Sequence, residues 1–169
     1  MKTFSIGGVH PNDSKVYSAH KKIVEVPLPK KAIIPLVQHI GAPAKAIVQK
    51  GDKVLVGQLI AEAGGFVSAP IHSPVSGTVS KLDTTDDAWG MRVPAIFIDV
   101  EGDEWLPVID RTNTINSVCK LDSKDIIEKI KNAGIVGLGG ACFPTHVKLM
   151  PPLGKKAEVL IVNGVECEP

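Results

Sequence analysis

Between residues 32 and 100 the apolar positions fall in short runs, and turn residues break them every few positions. Ala46-Ile47-Val48, Lys53-Val54-Leu55-Val56, Leu59-Ile60-Ala61, Ser76-Gly77-Thr78-Val79 and Ala95 to Val100 are rich in β-branched side chains. Gly51-Asp52, Gly57, Gly64-Gly65, Pro74, Gly77 and Asp86-Asp87 separate them. Strands this short, with turns this close, predict a small all-β sandwich or barrel. Within it Val54 and Ile60 are expected to face inward, Gly51-Asp52 to make a tight turn, and Gly77 to allow a close approach of strands. Upstream, residues 1–30 read as an irregular extension. There Ile23, Val24 and Val26 make Lys22 to Pro27 a candidate edge strand, ended by Pro27 and Pro29.

The pattern changes after residue 100. Acidic turns, Pro107 and polar residues mark a connection, placed at 106–121, between a β domain at 31–105 and a second region at 122–169. Ser123 is a candidate helix cap, Ile126, Ile127 and Ile130 share a helical face, and Gly134 suits the left-handed residue that stops such a helix. A glycine cluster follows, Gly134-Ile135-Val136-Gly137-Leu138-Gly139-Gly140. Next come a helical turn after Phe143-Pro144-Thr145, a stop at Pro151-Pro152, and a buried-strand candidate, Glu158 to Val162. Helix, glycine loop, helix and strand predict the start of an α/β domain. A single such unit cannot bury its strand on both faces. The sequence ends at Pro169 just after that strand, and the expectation is therefore a truncated domain that binds its ligand weakly or not at all.

Composition narrows the chemistry. The 169 residues carry 19 Lys plus Arg against 18 Asp plus Glu, so no global field favours nucleic acid or acidic lipid. Aromatic residues are only 4 %, which argues against base-stacking platforms. The first residues lack the apolar core of a signal peptide, and the longest apolar stretches, Val93 to Ile98 and Val159 to Val162, are too short to cross a bilayer. Contact with a membrane is expected only through partner subunits. Cys119, Cys142 and Cys167 match no zinc or iron–sulfur spacing and read as reduced thiols. The histidines at 10, 20, 39, 72 and 146 show no metal-binding spacing and read as surface or turn residues.

The sharpest chemical signal is Gly137-Leu138-Gly139-Gly140-Ala141-Cys142-Phe143-Pro144-Thr145, with Lys148 three residues on. Glycines there let backbone N–H groups approach a phosphate or a flat ring without Cβ clashes. A helical turn starting near Pro144 directs its own N–H groups at the loop, and Lys148 adds a positive charge. On spacing alone this is a generic anion loop, neither a Walker motif nor a dinucleotide fingerprint, and a plain glycine-rich connection between helix and strand explains it equally well. Asn163-Gly164-Val165-Glu166-Cys167-Glu168-Pro169 follows the strand candidate, at the end of a sheet where ligands bind in open α/β folds. A solvated acidic turn is the plainer reading of Glu166 and Glu168.

Two resemblances add to these readings. Gly51-Asp52-Lys53-Val54, Gly57-Gln58-Leu59-Ile60 and Ile71 to Val79 resemble the biotinyl/lipoyl domain pattern, whose fold is a barrel-sandwich hybrid. Carrier domains of that type need an acylated lysine on a hairpin tip. Here the tip stretch is Ala63-Gly64-Gly65-Phe66 and no lysine stands between Lys53 and Lys81, so a fold likeness without a carrier role is favoured. The Gly-Gly-Ala-x-Phe-Pro-Thr loop with Asn-Gly-x-Glu-x-Glu-Pro resembles the flavin module of the respiratory complex I flavoprotein. Together with Gly7-Gly8-Val9-His10-Pro11, Pro27-Leu28-Pro29 and Gln38-His39-Ile40-Gly41-Ala42-Pro43, it resembles the RnfC family of Rnf electron transport complexes.

That resemblance implies a mixed fold: an all-β barrel-sandwich hybrid followed by the start of an α/β FMN-binding domain. It implies FMN and NADH as cofactors, electron transfer to iron–sulfur clusters, coupling of ferredoxin and NAD chemistry to ion translocation, and a peripheral place on the cytoplasmic face of a bacterial inner membrane among other Rnf subunits. It places Gly137, Gly139, Gly140, Ala141 and Lys148 against the FMN phosphate and ribityl chain, Asn163 and Glu166 near the flavin, Phe143 against the nicotinamide nucleotide, and Glu168 in the same pocket. It assigns no catalytic side chain, because the hydride chemistry belongs to the flavin. Leu138 stands where Arg is common in the complex I flavoprotein, and Val165 where Asp is common. The two Cys-x-x-Cys-x-x-Cys motifs of the family, each expected to hold a four-iron four-sulfur cluster, are expected downstream of this chain. The alternatives are a non-catalytic carrier or interaction module and the flavin subunit of a soluble NADH dehydrogenase or hydrogenase of the complex I type. The barrel segment argues against the latter.

Overall fold

The computed structural model describes residues 15–115, 117–159 and 161. The described residues from Leu28 to Lys155 form one compact unit, and those outside it belong to a second.

The larger unit is built on seven strands in two antiparallel sheets. They are β1 (Lys31–Pro35), β2 (Lys45–Ala46), β3 (Lys53–Val54), β4 (Leu59–Glu62), β5 (Ile71–His72), β6 (Gly77–Asp86) and β7 (Arg92–Val100). One sheet has the order β1-β7-β6-β3 and the other β2-β4-β5. The two sheets share one apolar core, in which Ile34, Val54, Ile60, Ile71, Val79, Ile96 and Ile98 are buried together. Strands this short cannot hold by backbone pairing alone, so enclosing these aliphatic side chains supplies the driving force.

Val54 and Ile60 point inward as expected, at 1 % and 0 % exposure. Asp52 makes the turn before β3, where its carboxylate accepts the Gln49 N–H at 2.8 Å. Gly51 adopts φ +94° and its N–H donates to the Val79 carbonyl, which ties the turn to β6. A Cβ on Gly77 would run into the Asp99 carbonyl, so the strands cross there at backbone distance.

β6 and β7 pair from Gly77↔Val100 to Asp86↔Arg92, with a bulge between Val79 and Lys81. Beyond Ser80 the β6 side chains are mostly exposed, while Val93, Ala95 and Ile96 of β7 stay buried, and a turn at residues 87–91 joins the two strands. Residues 101–109 stay with the barrel: the Val56 N–H donates to Glu104, Leu106 donates back to Val56, and Glu101 donates to Ser76.

Helix α1 spans Ser123–Asn132, with Ile126, Ile127 and Ile130 on its half-buried face. Its cap is Asp122, one residue before the expected Ser123. The Asp122 carboxylate accepts the N–H groups of Lys124 and Asp125 at 2.8 and 2.9 Å, and an anion there also suits the positive end of the helix. Gly134, at φ +68°, stops the helix as expected. Helix α2 is a single turn, Thr145–Lys148.

One strand expectation fails, and a second falls partly outside the described residues. Lys22 to Pro27 forms no strand, and Ile23, Val24 and Val26 are exposed, because no described strand pairs with them. Glu158, Val159 and Ile161 are likewise unpaired, with Val159 and Ile161 exposed. Leu160 and Val162 lie outside the described residues.

Candidate functional site

The glycine loop is organised from its two ends. The Gly137 N–H donates to the Phe143 carbonyl at 3.0 Å, and the Thr145 N–H donates to Ile135 at 3.0 Å, so residues 135–137 and 143–145 close a neck. Above it the Cys142 N–H donates to Gly139 at 2.9 Å. Gly140 has φ +36° and Cys142 φ +48°. A left-handed cysteine costs about 1–3 kcal/mol and persists only where the surroundings hold it.

Of the amides expected to face a ligand, that of Gly137 is spent inside the neck. Those of Gly139 and Gly140 donate to no group among the described residues. Both glycines are exposed, and a Cβ on either would meet nothing within 4 Å. At Gly139 nothing in the chain therefore gives a reason for the missing side chain, whereas the positive φ of Gly140 itself favours glycine. Lys148 completes the arrangement: its Nζ would lie 2.9 Å from a Cβ on Gly137, so the ammonium rests against the loop backbone. Open amides beside a positive charge fit a phosphate group. Phe143 is half-buried under the same loop and Ala141 is exposed. Asn163, Glu166, Cys167 and Glu168 lie outside the described residues.

The barrel holds this loop. The Ile40 N–H donates to the Ala141 carbonyl at 2.9 Å. Ile40 is in turn set by His39, whose Nε2 accepts the buried Ala69 N–H at 3.0 Å and whose Nδ1 lies 3.0 Å from the Ile40 carbonyl. An amide N–H can only donate, so Nε2 is the bare nitrogen and Nδ1 carries the hydrogen that bonds Ile40. On the other side of the loop His146, on α2, is 3 % exposed and its Nδ1 has no partner. Burial, with Lys131 adding to it, holds its imidazole below the ordinary 6.5, while a hydrogen bond with the Phe66 backbone pulls the other way. The expectation of surface or turn histidines is thus corrected for His39 and His146. Helical spacing was the wrong test for residues whose partners are backbone groups far along the chain.

Between barrel and loop lies a cavity of about 360 Å³, lined by Ile40, Asp87, Trp89, Gly140, Ala141 and Cys142 among others. Trp89 and Asp87 sit on the β6–β7 turn and carried no signal in the sequence, where an acidic turn is ordinary.

Residues 2–103 match the family profile described as the RnfC Barrel sandwich hybrid domain, and residues 130–169 match that of the Nuo51 FMN-binding domain. This chain belongs to the RnfC family. The family's barrel-sandwich hybrid thus covers the two-sheet unit, and the flavin-type profile covers the end of α1, the glycine loop and α2. Among relatives, the chain is 48 % identical to the C subunit of the proton-translocating ferredoxin:NAD(+) oxidoreductase complex of Clostridium ljungdahlii, over 100 % of this chain and 36 % of that protein. It is 44 % identical to the C subunit of the Na(+)-translocating ferredoxin:NAD(+) oxidoreductase complex of Acetobacterium woodii, over 96 % of this chain and 36 % of the relative. To the C subunit of the ion-translocating oxidoreductase complex of Rhodobacter capsulatus it is 42 % identical, over 100 % and 33 %. The chain spans about a third of the length of these relatives. Among the described residues no helix is long and apolar enough to cross a membrane, and no group of His, Cys, Asp or Glu is arranged to hold a metal ion.

Proposed function

We propose that this chain forms the FMN-binding end of an RnfC-type protein in an ion-translocating ferredoxin:NAD oxidoreductase complex, with NADH as the nucleotide that exchanges electrons there. The observation that carries the reading is the pair of open amides at Gly139 and Gly140 in a loop whose Gly137 has the Lys148 ammonium against it. In this reading Gly139, Gly140 and Lys148 hold the FMN phosphate, Ala141 and Gly137 line the ribityl path, and Phe143 faces the nicotinamide nucleotide. Asn163, Glu166 and Glu168 border the ring. The flavin, when bound, supplies the two-electron to one-electron step. The chain's residues position it and neutralise its phosphate. Iron–sulfur clusters, other Rnf subunits and peripheral attachment to the cytoplasmic face through those subunits complete the proposed setting.

A carrier role has less support. The tip stretch is held at Gly64, which lies against the Pro43 carbonyl and donates its N–H to Ser68. Lys81 is already engaged by Asp83 at 2.6 Å and by the Phe97 ring at 4.5 Å.

Flavin fluorescence titration tests the proposal. The gene-encoded protein is expected to bind FMN, and Lys148→Ala to weaken binding about 10-fold, the loss of one charge-assisted phosphate contact. Equal affinity for riboflavin and FMN, with Lys148→Ala neutral, would remove the phosphate role.

A further inference from the structure

The β6–β7 turn projects an unused aromatic side chain toward the glycine loop. Asp87 fixes its shape: its Oδ1 accepts the N–H groups of Trp89 and Met91 at 2.9 and 2.8 Å, its N–H donates to Met91, and Gly90 turns at φ +76°. Trp89 itself is 82 % exposed. Its indole makes no hydrogen bond among the described residues and takes no part in the core. A large amphipathic ring left in water on a well-formed turn contributes nothing to folding.

Trp89 nevertheless lines the cavity that Gly140, Ala141 and Cys142 close from the other side. At about 360 Å³ the space falls within the usual range of small-molecule sites. Its walls are largely apolar, with Trp89, Ile40 and the glycine loop among them, and Gln38, His39 and Asp87 supply the polar part. Its rim carries the open Gly140 amide. A planar heteroaromatic ring attached to a phosphate suits that combination, with the ring against the indole and the phosphate at the loop. Both walls are braced, the turn by Asp87 and the loop by the His39–Ile40–Ala141 chain of hydrogen bonds.

We infer that the barrel domain is part of the nucleotide site, with Trp89 as the face on which the planar ring of a phosphate-bearing nucleotide stacks. This rests on the proposed FMN site, and two probes, FMN and NADH, distinguish which ring is held. Binding of each to the gene-encoded protein is measured by equilibrium titration, with tryptophan emission as a second readout. Trp89→Ala is expected to raise the Kd of one probe about 10-fold, and Trp89→Phe to raise it less. Quenching of tryptophan emission by that probe should fall in both variants. Met91→Ala, on the same turn, should leave binding unchanged. Because Trp89 is exposed, Trp89→Ala should unfold at the wild-type temperature. An effect confined to FMN assigns the flavin ring; one confined to NADH assigns a ring of the dinucleotide. FMN binding that depends on Lys148, with Trp89→Ala neutral for both probes, overturns this inference and leaves the FMN reading standing. Failure of both probes to bind overturns both.

Discussion

At the scale of single residues, glycine means two different things in this chain. Gly77 is required by the fold: a Cβ there meets the Asp99 carbonyl. Gly139 is not, since a Cβ there meets nothing within 4 Å. Gly77→Ala is therefore expected to destabilise the protein by about 2 kcal/mol or more, and Gly139→Ala by less than about 0.5 kcal/mol, in chemical unfolding. Gly139→Ala should still weaken FMN binding, because the added methyl occupies the ligand's approach. A stable but binding-competent Gly139→Ala would break the link between the open backbone and the ligand. Both glycines stand out equally in the sequence, where neither the Asp99 carbonyl beside one nor the empty space around the other is visible.

Elements are joined here by backbone hydrogen bonds routed through a histidine. His39 couples the Ala69 amide to the Ile40 carbonyl, and Ile40 holds Ala141 of the loop. His39→Ala strands the buried Ala69 N–H and is expected to cost about 1–3 kcal/mol. Amide exchange at Ile40, whose N–H holds the Ala141 carbonyl, should rise with it. Unchanged stability would mean that loop and barrel are coupled some other way. The short β runs, the Gly51-Asp52 turn, helix α1 and its Gly134 stop were legible because local chemistry dictates them. The cap moved by one residue because Asp122 outcompetes Ser123 as an anion at the helix start. The histidine relay was not legible, because it joins positions 30 residues apart. Trp89 escaped notice because its role depends on a turn reaching a loop about fifty residues later in the chain. The Gln38–Pro43 run marked the family, but its mechanical reason emerged only once Ile40 was found on Ala141.

For the molecule as a whole, acid should act through the buried His146 and the half-buried His72. Burial lowers the pKa of His146, with Lys131 contributing, and burial lowers that of His72. Unfolded, each takes up its proton near the ordinary 6.5; folded, each does so only at lower pH. Between those points the unfolded chain binds more protons, so stability is retained above about pH 6.5 and falls as pH drops below it. The melting temperature is expected to be lower at pH 5.5 than at pH 7.5. His146→Gln should reduce that difference, while a variant that keeps the full difference would assign it to other groups.

The proposed site seats the phosphate of a flavin nucleotide on the backbone of Gly139 and Gly140, with Lys148. Backbone amide shifts during FMN titration of isotope-labelled protein test it most directly. The account predicts the largest changes at Gly139 and Gly140, a smaller one at Gly137, whose N–H is already bonded to Phe143, and little at barrel positions such as Gly51. Saturating FMN that leaves the Gly139 and Gly140 signals where they began would contradict it.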